Sequence, residues 1–210
     1  MIKKNLKVLL ITSVVMLLPA LAGIWLWKQL PDQLPIHWNM GGEVDGQASK
    51  LFVVAALPLI LLALHWLSVF LTLNDPKRKN HVGKILNLIF WIVPVITVVL
   101  YTMIYLGALG RNARVEIIAP VLAGLIVVMI GNYLPKCKQN YTVGIKLSWT
   151  LHSEENWNRT HRLAGWLWVI CGILVMVLGA VGLIWAMLPV LLVMTLVPVI
   201  YSYILYRRGI

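Results

Sequence analysis

Six long apolar runs constrain this 210-residue chain more than any other feature of its sequence. A helix needs roughly 20 apolar residues to cross the hydrocarbon core of a bilayer, and each run is close to that length. The runs are Val8–Trp27, Leu51–Leu73, Ile85–Leu109, Ile117–Leu134, Leu163–Trp185 and Met187–Tyr206. With 60% hydrophobic and only 12% charged residues, the composition excludes an ordinary soluble domain. The sequence therefore predicts an all-α membrane protein with six transmembrane helices and a single domain, residues 1–210.

The basic residues are distributed as six spans would require. The chain has 18 Lys and Arg residues, and all but four fall on one side of a six-span arrangement; the exceptions are Lys28, Lys50, Arg111 and Arg114. Because basic loops of membrane proteins stay in the cytoplasm, both chain termini are predicted to be cytoplasmic. Topology thus accounts for the net charge of +11, so the bilayer is the expected partner and no direct nucleic-acid partner is predicted.

The first apolar run also has features of a cleavable signal peptide. Three lysines precede it, and an Ala20-Leu21-Ala22 triplet lies near its end. The run nevertheless continues through Ile24-Trp25-Leu26-Trp27, which gives a full-length span with an aromatic end. An uncleaved first helix is therefore favoured.

Residues 28–50 are the only sizeable loop on the outer side. The dipeptides Gly41-Gly42 and Asp45-Gly46 are turn signals, so an extended strand from Pro35 to Asn39 is expected to reverse at the glycines. His37, Glu43 and Asp45 could converge on a metal, but three polar residues without a helical register are weak evidence. A compact loop with Trp38 at the lipid interface is favoured, and no metal or cofactor is predicted. The two cysteines, Cys137 and Cys171, have neither disulfide-framework nor metal-site spacing and are interpreted as structural.

One ionisable side chain, His65, lies inside the second run. Charged groups at that depth are costly, so they often mark functional sites. The simpler interpretation, a neutral imidazole hydrogen-bonded to a neighbouring helix, is favoured. After this run, Asp75-Pro76 ends the helix, and attraction to anionic lipid is enough to explain the basic run 77–79.

Glycines recur at seven-residue intervals in the fourth and fifth runs. Gly124 and Gly131 lie in the fourth; Gly165, Gly172 and Gly179 lie in the fifth. Small residues let membrane helices approach each other closely, so these two helices are predicted to pack together.

The longest polar stretch between spans is residues 132–162, whose loop and elbow, 135–162, join the fourth and fifth runs. Pro135 should end the fourth helix, and a loop should follow up to Thr150. Ser153 is a good N-cap, since Glu154 and Glu155 then occupy the first turn of a helix. That helix is predicted to carry directly into the fifth span. It would place Trp157, His161 and Trp168 near one face, with Trp149 and Trp157 at headgroup depth.

The order of motifs along the chain resembles a known family. The motifs are Gly131-Asn132-Tyr133-Leu134-Pro135-Lys136, Asn140-Tyr141, Gly144-Ile145-Lys146, Trp149-Thr150-Leu151, Trp157 and Thr160-His161-Arg162. They resemble the SdpI-type immunity proteins of bacteria. The first loop, with 34–39, Gly42 and Asp45-Gly46, resembles the domain of unknown function that often precedes this motif. Two positions depart from the family pattern, since Lys146 replaces a usual arginine and Ser148 a common proline. Lysine keeps the charge of arginine but not its planar bidentate fork, so it is less suited to clamp a phosphate or carboxylate at 146.

The resemblance implies a multi-pass protein of the bacterial cell membrane that protects the cell from a secreted antimicrobial peptide or protein toxin. In the best-known members it also senses the toxin and ties up a cytosolic transcriptional repressor. Toxin contact is expected at the outer loop, at Pro35, His37, Trp38, Asn39, Gly42, Asp45 and Gly46. The cytoplasmic motif residues are Asn132, Tyr133, Pro135, Asn140, Tyr141, Gly144, Lys146, Trp149, Thr150, Trp157, His161 and Arg162.

Two other classes of function remain open on the sequence. A membrane enzyme acting on lipid or peptide could use His152, His161, Arg162 and the Glu154-Glu155 pair, but no protease, nucleophile-elbow or phosphate-loop motif accompanies them. A small-solute transporter usually has discontinuous helices with intramembrane charges, and here only His65 and scattered prolines are available. No catalytic residue is assigned, and a non-enzymatic role is predicted.

Overall fold

The computed structural model describes residues 2–80 and 83–210; Met1, His81 and Val82 lie outside the described residues. Six of its helices are long and apolar enough to cross a membrane, which confirms the prediction of a six-span, multi-pass membrane protein. The α-helices are α1 Ile2–Trp25, α2 Leu57–Leu73, α3 Gly83–Ala108, α4 Val115–Tyr133, α5 Ser148–His152, α6 Glu154–Ala180 and α7 Met187–Arg207. Only α5 is too short to span.

Short elements connect the helices. Two antiparallel strands, β1 Gln33–Trp38 and β2 Val44–Ser49, form a hairpin between α1 and α2. A π-helical turn at Phe52–Ala56 leads into α2. Single 3₁₀ turns lie at Arg78–Asn80, Leu134–Lys136 and Ile184–Ala186.

The fifth predicted span, Leu163–Trp185, differs from the structure at both ends. Helix α6 begins at Glu154, because the elbow predicted after Ser153 is continuous with the span. It ends at Ala180, where the N–H of Leu183 donates to the carbonyl of Leu178 and that of Gly182 to Gly179. This bond pair, with Gly182 at φ +77°, is the Schellman ending that glycine favours.

Residue contacts divide the chain into two compact units. The first consists of Met1–Leu73 with Asn87–Val115, and the second of Asn74–Leu86 with Glu116–Ile210. The hairpin belongs to the first unit and residues 132–162 to the second. That 1–210 form a single domain stays a prediction.

The core of the first unit joins the hairpin to three helices. Its buried residues are Leu30, Leu34, Val53, Val54, Tyr101, Ile104 and Tyr105. In the π-helical turn the N–H of Leu57 donates to the carbonyl five residues back. Pro58 has no N–H to continue the series, and the hydroxyl of Tyr101 donates to the free carbonyl of Val53 at 2.7 Å. The Tyr101 hydroxyl therefore provides the hydrogen bond that Pro58 cannot donate to Val53.

His65 makes the interhelical hydrogen bond expected of a neutral core histidine. It is completely buried, and its Nε2 lies 3.1 Å from the hydroxyl of Thr12 on α1. That hydroxyl already donates to the carbonyl of Leu9, so it accepts from Nε2–H. At the next residue of each helix, the indole N–H of Trp66 donates to the hydroxyl of Ser13. The two bonds tie α1 to α2 within the first unit.

The glycine stripes of the second unit bring α4 and α6 into backbone contact, as predicted. A Cβ added at Gly172 would lie 2.7 Å from the carbonyl oxygen of Gly124, and one added at Gly131 would lie 3.0 Å from that of Gly165. Neither approach leaves room for a methyl group, so glycine is required on both helices. The contact holds in place both ends of the segment that joins them.

Candidate functional site

The first-loop hairpin, Gln33–Ser49, has the reversal that its glycines predict, and its two strands are irregular. Pro35 pairs with Gln47, His37 with Gly46, and Trp38 with Val44. Strand β1 therefore has one extra residue, Ile36, and strand β2 has another, Asp45. Such bulges redirect side chains. The extra residue Asp45 reaches His37 at the protein surface, and the Asp45 carboxylate lies 2.5 Å from Nδ1 of His37.

Asn39 builds the turn of the hairpin. Its side-chain oxygen accepts from the N–H groups of Gly41 at 2.9 Å and Glu43 at 3.0 Å, and its amide donates to the Glu43 carboxylate. Gly42 has φ +80°, a conformation that suits glycine. Glu43 is thus engaged in the turn and does not join His37 and Asp45. Within residues 2–80 and 83–210, no three His, Cys, Asp or Glu side chains are grouped to hold a metal.

The predicted contact residues of the hairpin differ in their exposure. Pro35 is buried beside the core residue Leu34, and a Cβ at Gly46 would lie 2.9 Å from that of His37, so both shape the strands. Trp38 is half-buried and packs against Met103, Ala113 and Val115. His37, Asn39 and Asp45 are exposed. Whether Trp38 also touches lipid stays a prediction.

In the 132–162 segment, the loop after α4 folds around Asn140, which is fully buried. Its amide nitrogen donates to the carbonyls of Lys138 and Val143, both at 2.9 Å. Its amide oxygen accepts from the N–H groups of Thr142 and Val143. One side chain therefore replaces the backbone pairing that a loop lacks, which explains why asparagine is found here.

A buried carboxylate from another part of the chain holds the same loop. Asp75 is only 1% exposed, and its Oδ2 accepts from the N–H of Tyr141 and the hydroxyl of Thr142, both at 2.9 Å. Its Oδ1 accepts from the N–H of Lys77 at 2.7 Å. The sequence identifies Asp75 only as a helix end, because nothing local shows that it bonds to residues more than 60 positions away.

Lys77, the first residue of the basic run after α2, is bound to the same loop. The Lys77 ammonium contacts the side-chain oxygen of Gln139 and lies 5.4 Å from the ring centre of Tyr141. Asn80 donates to the backbone carbonyl of Gln139. Gln139 in turn donates to the carbonyls of Thr150 and Leu151. The prediction that lipid attraction is enough to explain this run is therefore wrong for Lys77.

Trp157 and His161 form a buried stacked pair at the start of α6. Their ring centres are 4.0 Å apart, and the indole N–H donates to the Cys137 carbonyl at 2.7 Å. The predicted headgroup position of Trp157 is wrong, since the side chain is completely buried. The loop crosses directly above these stacked rings at Gly144, which has φ +121°. A Cβ at this position would have no space above the rings.

Both ring nitrogens of His161 are used by the backbone. Nδ1 lies 2.8 Å from the Trp157 carbonyl and so donates, while Nε2 accepts from the N–H of Ile145 at 3.0 Å. A general acid or base must have a nitrogen within reach of substrate. His161 would have to break a bond to the loop to provide one, so the geometry favours a structural role for this histidine.

The end of the segment is fastened to α7. Helix α5 begins at Ser148, so the loop predicted up to Thr150 extends three residues too far. The reason is the buried Thr150 hydroxyl, which accepts from the N–H of Leu147 and closes the first turn. Trp149 donates to Ser202 at 3.0 Å and stacks on Tyr206.

Asn156 is a further contact to α7 that sequence reasoning misses. It is fully buried, and its amide donates to the carbonyls of Ser202 and Ile210. A polar residue following two acids resembles any solvated first turn, so no local signal identifies it.

The remaining motif residues lie at the surface. Asn132, Pro135, Tyr141, Lys146 and Arg162 are exposed, and Tyr133 is half-buried beneath the Lys136 ammonium at 5.5 Å. Lys146 donates to the Thr142 carbonyl. Pro135 also faces Gly165, where an added Cβ would lie 2.5 Å from Cδ of the proline ring. The motif thus comprises a buried framework and a separate exposed set.

The buried thiol of Cys137 gives a test of this framework. Burial raises the pKa of Cys137 to about 11, although the amide of Asn140 opposes the shift. At pH 8 the folded protein should then contain about 100-fold less thiolate than an exposed cysteine, and alkylation should slow accordingly. The unfolded chain ionises first between pH 9 and 11, so the contribution of this thiol to stability is lost as pH rises through that range.

Iodoacetamide labelling followed by intact mass spectrometry measures this rate. A Cys171→Ser background leaves one reporting thiol, and the SDS-denatured protein serves as the fast control. Labelling of the folded protein as rapid as that of the denatured protein would contradict the buried position of Cys137.

Comparisons with known proteins cover both candidate regions. Residues 136–202 match the SdpI/YfhL protein family, and residues 14–62 match a domain of unknown function, DUF1648. The chain is 25% identical over 209 residues to the "Immunity protein SdpI" of Bacillus subtilis (strain 168), across 98% of this chain and 97% of that protein. No solved structure matches the chain. The resemblance found in the motifs is confirmed; Asn132, Tyr133 and Pro135 precede the matched family segment.

Proposed function

We propose that this chain, which carries a DUF1648 segment followed by an SdpI/YfhL family segment, is an integral membrane immunity protein that protects a bacterial cell from a secreted antimicrobial peptide or protein toxin. The observation that carries the proposal is the match to an immunity protein along essentially the whole chain. It includes the hairpin and the 132–162 segment in one alignment. A binding role needs no catalytic group, which agrees with the engagement of His161 by the backbone.

The hairpin is proposed as the toxin-contact surface. The distribution of basic residues supports an outward hairpin and a cytoplasmic 132–162 segment. The exposed His37–Asp45 pair and Asn39 provide polar groups, and Ile36, Met40 and Val44 are exposed apolar neighbours on the same hairpin. A secreted toxin that attacks membranes must itself combine polar and apolar surface, so this mixture suits such a ligand.

The 132–162 segment is proposed as the cytoplasmic output. For toxin binding to reach it, two states of the protein must differ in toxin affinity. We assign the difference to the close contact of α4 with α6, which carries the segment at its ends. A shift there would change the exposure of residues from Tyr141 to Arg162, and a cytosolic repressor could bind one of the two forms.

A survival assay tests this function. The protein is expressed in a sensitive bacterial strain and challenged with a panel of purified secreted antimicrobial peptides and protein toxins, beside the SdpI protein of Bacillus subtilis. Wild-type protein is expected to raise survival against at least one toxin by 10-fold or more, and His37→Ala to lower that protection about 10-fold, the effect of losing roughly one charged hydrogen bond. Trp149→Phe, which removes the bond to Ser202, should also reduce protection.

Gln47→Ala is the matched control, because Gln47 is exposed on the same hairpin and makes no side-chain hydrogen bond within the described chain. Its protection should equal that of wild type. Full protection by both His37→Ala and Trp149→Phe at normal expression would overturn the residue assignments. Failure of the wild-type protein against every toxin in the panel, while the Bacillus subtilis protein protects, would overturn the proposed function.

A further inference from the structure

A surface groove between α6 and α7 overlaps the end of the 132–162 segment, and its mixed lining is not explained by the proposed immunity function. It has a volume of about 810 Å³ and lies within the second unit, beside the first three turns of α6. Glu154, Glu155, Arg159 and Arg162 line its polar end, while Trp166 and Tyr201 line its apolar end. A ligand that fills it must therefore be charged at one end and apolar at the other.

The groove is lined by two acidic and two basic side chains, and only one acid and one base pair with each other. Glu155 and Arg159 pair with each other at 2.5 Å, one turn apart on the helix. Within the described chain, Glu154 and Arg162 make no side-chain hydrogen bond or ion pair. The groove therefore has one acid and one base free, and its net charge is zero. A zwitterion complements such a site better than an anion does, because an anion would leave Glu154 repelled.

The apolar end of the groove indicates a ligand that comes from the membrane. Trp166 is 70% exposed and lies three residues after Leu163, where the apolar run begins. Exposed tryptophan at this point is typical of the boundary between headgroups and acyl chains. Glu154 and Arg162 are eight residues apart, about 12 Å along the axis, a distance that a headgroup and two flexible side chains span together. A membrane lipid lying along the helix would match both ends of the groove.

We propose that this groove binds one phosphatidylethanolamine molecule, with Arg162 on the phosphate, Glu154 on the ammonium and Trp166 along the acyl chains. The ammonium of this lipid has three N–H donors for a carboxylate, whereas the trimethylammonium of phosphatidylcholine has none. Phosphatidylglycerol carries the phosphate but no cation. The three headgroups therefore separate the contributions of the two free side chains.

Native mass spectrometry of the full-length protein in detergent tests the site, with the three lipids added in turn at equal concentration and with identical acyl chains. Wild-type protein should retain one phosphatidylethanolamine about 10-fold more than either other lipid, the size expected for one charge-assisted hydrogen bond. Glu154→Gln should abolish that preference. Arg162→Gln should lower retention of all three lipids by a similar factor.

Arg208→Gln is the matched control, since Arg208 is an exposed arginine outside the groove and its side chain makes no hydrogen bond or ion pair within the described chain. It should leave lipid retention unchanged. Retention of phosphatidylglycerol equal to that of phosphatidylethanolamine by the wild-type protein would overturn the proposal, as would an Arg162→Gln variant that retains phosphatidylethanolamine normally. Both groove variants alter exposed side chains without partners, so folding is not at risk.

Discussion

Replacing Gly144 with alanine is expected to lower the free energy of unfolding by roughly 3–5 kcal/mol, the sum of a strained backbone and an overpacked contact. Gly144 has φ +121°, a conformation that side chains rarely adopt. An added Cβ would also lie 2.5 Å from Nε2 of His161 and 2.9 Å from the Trp157 ring. Neither ring can move freely, because the Trp157 indole is bonded to Cys137 and the His161 imidazole to Trp157.

The expected consequence is loss of the bond between the Ile145 N–H and His161, and with it release of the loop from α6. SDS titration of the protein in mixed micelles, followed by tryptophan fluorescence, measures the change in unfolding free energy. Gly182→Ala is the matched control: it has φ +77° but nothing within 4 Å of an added Cβ. It should cost only about 1 kcal/mol. Equal losses in the two variants would show that the stacked pair does not restrict Gly144.

Local patterns in the sequence predict much of this architecture. Six apolar runs locate six spans because a helix satisfies its own backbone hydrogen bonds, as a segment inside a bilayer must. Ser153 is predicted as an N-cap from its own type and its acidic neighbours, and its hydroxyl does accept from the N–H of Asn156. The glycine spacing predicts the contact of α4 with α6, because two residues seven positions apart lie on nearly the same face of a helix.

Long-range polar contacts could not be predicted in this way. Asp75 and Thr142 are joined only in the folded chain, and neither has a neighbour that signals the other. Trp157 resembles an interfacial anchor by composition, because a tryptophan near a span end is usually one. Its burial depends on the path of the loop that carries Gly144, and no periodicity encodes that path. The motifs therefore identify many residues of the framework, but they do not encode its contacts.

Replacing Gly172 with alanine is expected to destabilise the protein by about 2–4 kcal/mol through the α4–α6 contact. The added Cβ would lie 2.7 Å from the Gly124 carbonyl oxygen and 2.9 Å from the Val128 backbone nitrogen. Backbone atoms cannot turn aside as a side chain can, so the two helices must separate along their length. The same titration in micelles measures the loss. Gly107→Ala is the control, because that helical glycine has only ordinary contacts, the nearest 3.5 Å away at Pro35.

The control should be neutral or slightly stabilising, since alanine is a better helix former than glycine by up to about 1 kcal/mol. Changes of opposite sign in the unfolding free energy of Gly172→Ala and Gly107→Ala would separate the effect of close packing from that of helix propensity. Gly124→Ala should resemble Gly172→Ala, because its Cβ would lie 2.5 Å from the Gly172 carbonyl oxygen. Once one methyl group has forced the helices apart, the second meets less resistance, so the double variant should lose less than the sum of the single losses. Strictly additive losses would mean that the two glycines do not share one interface.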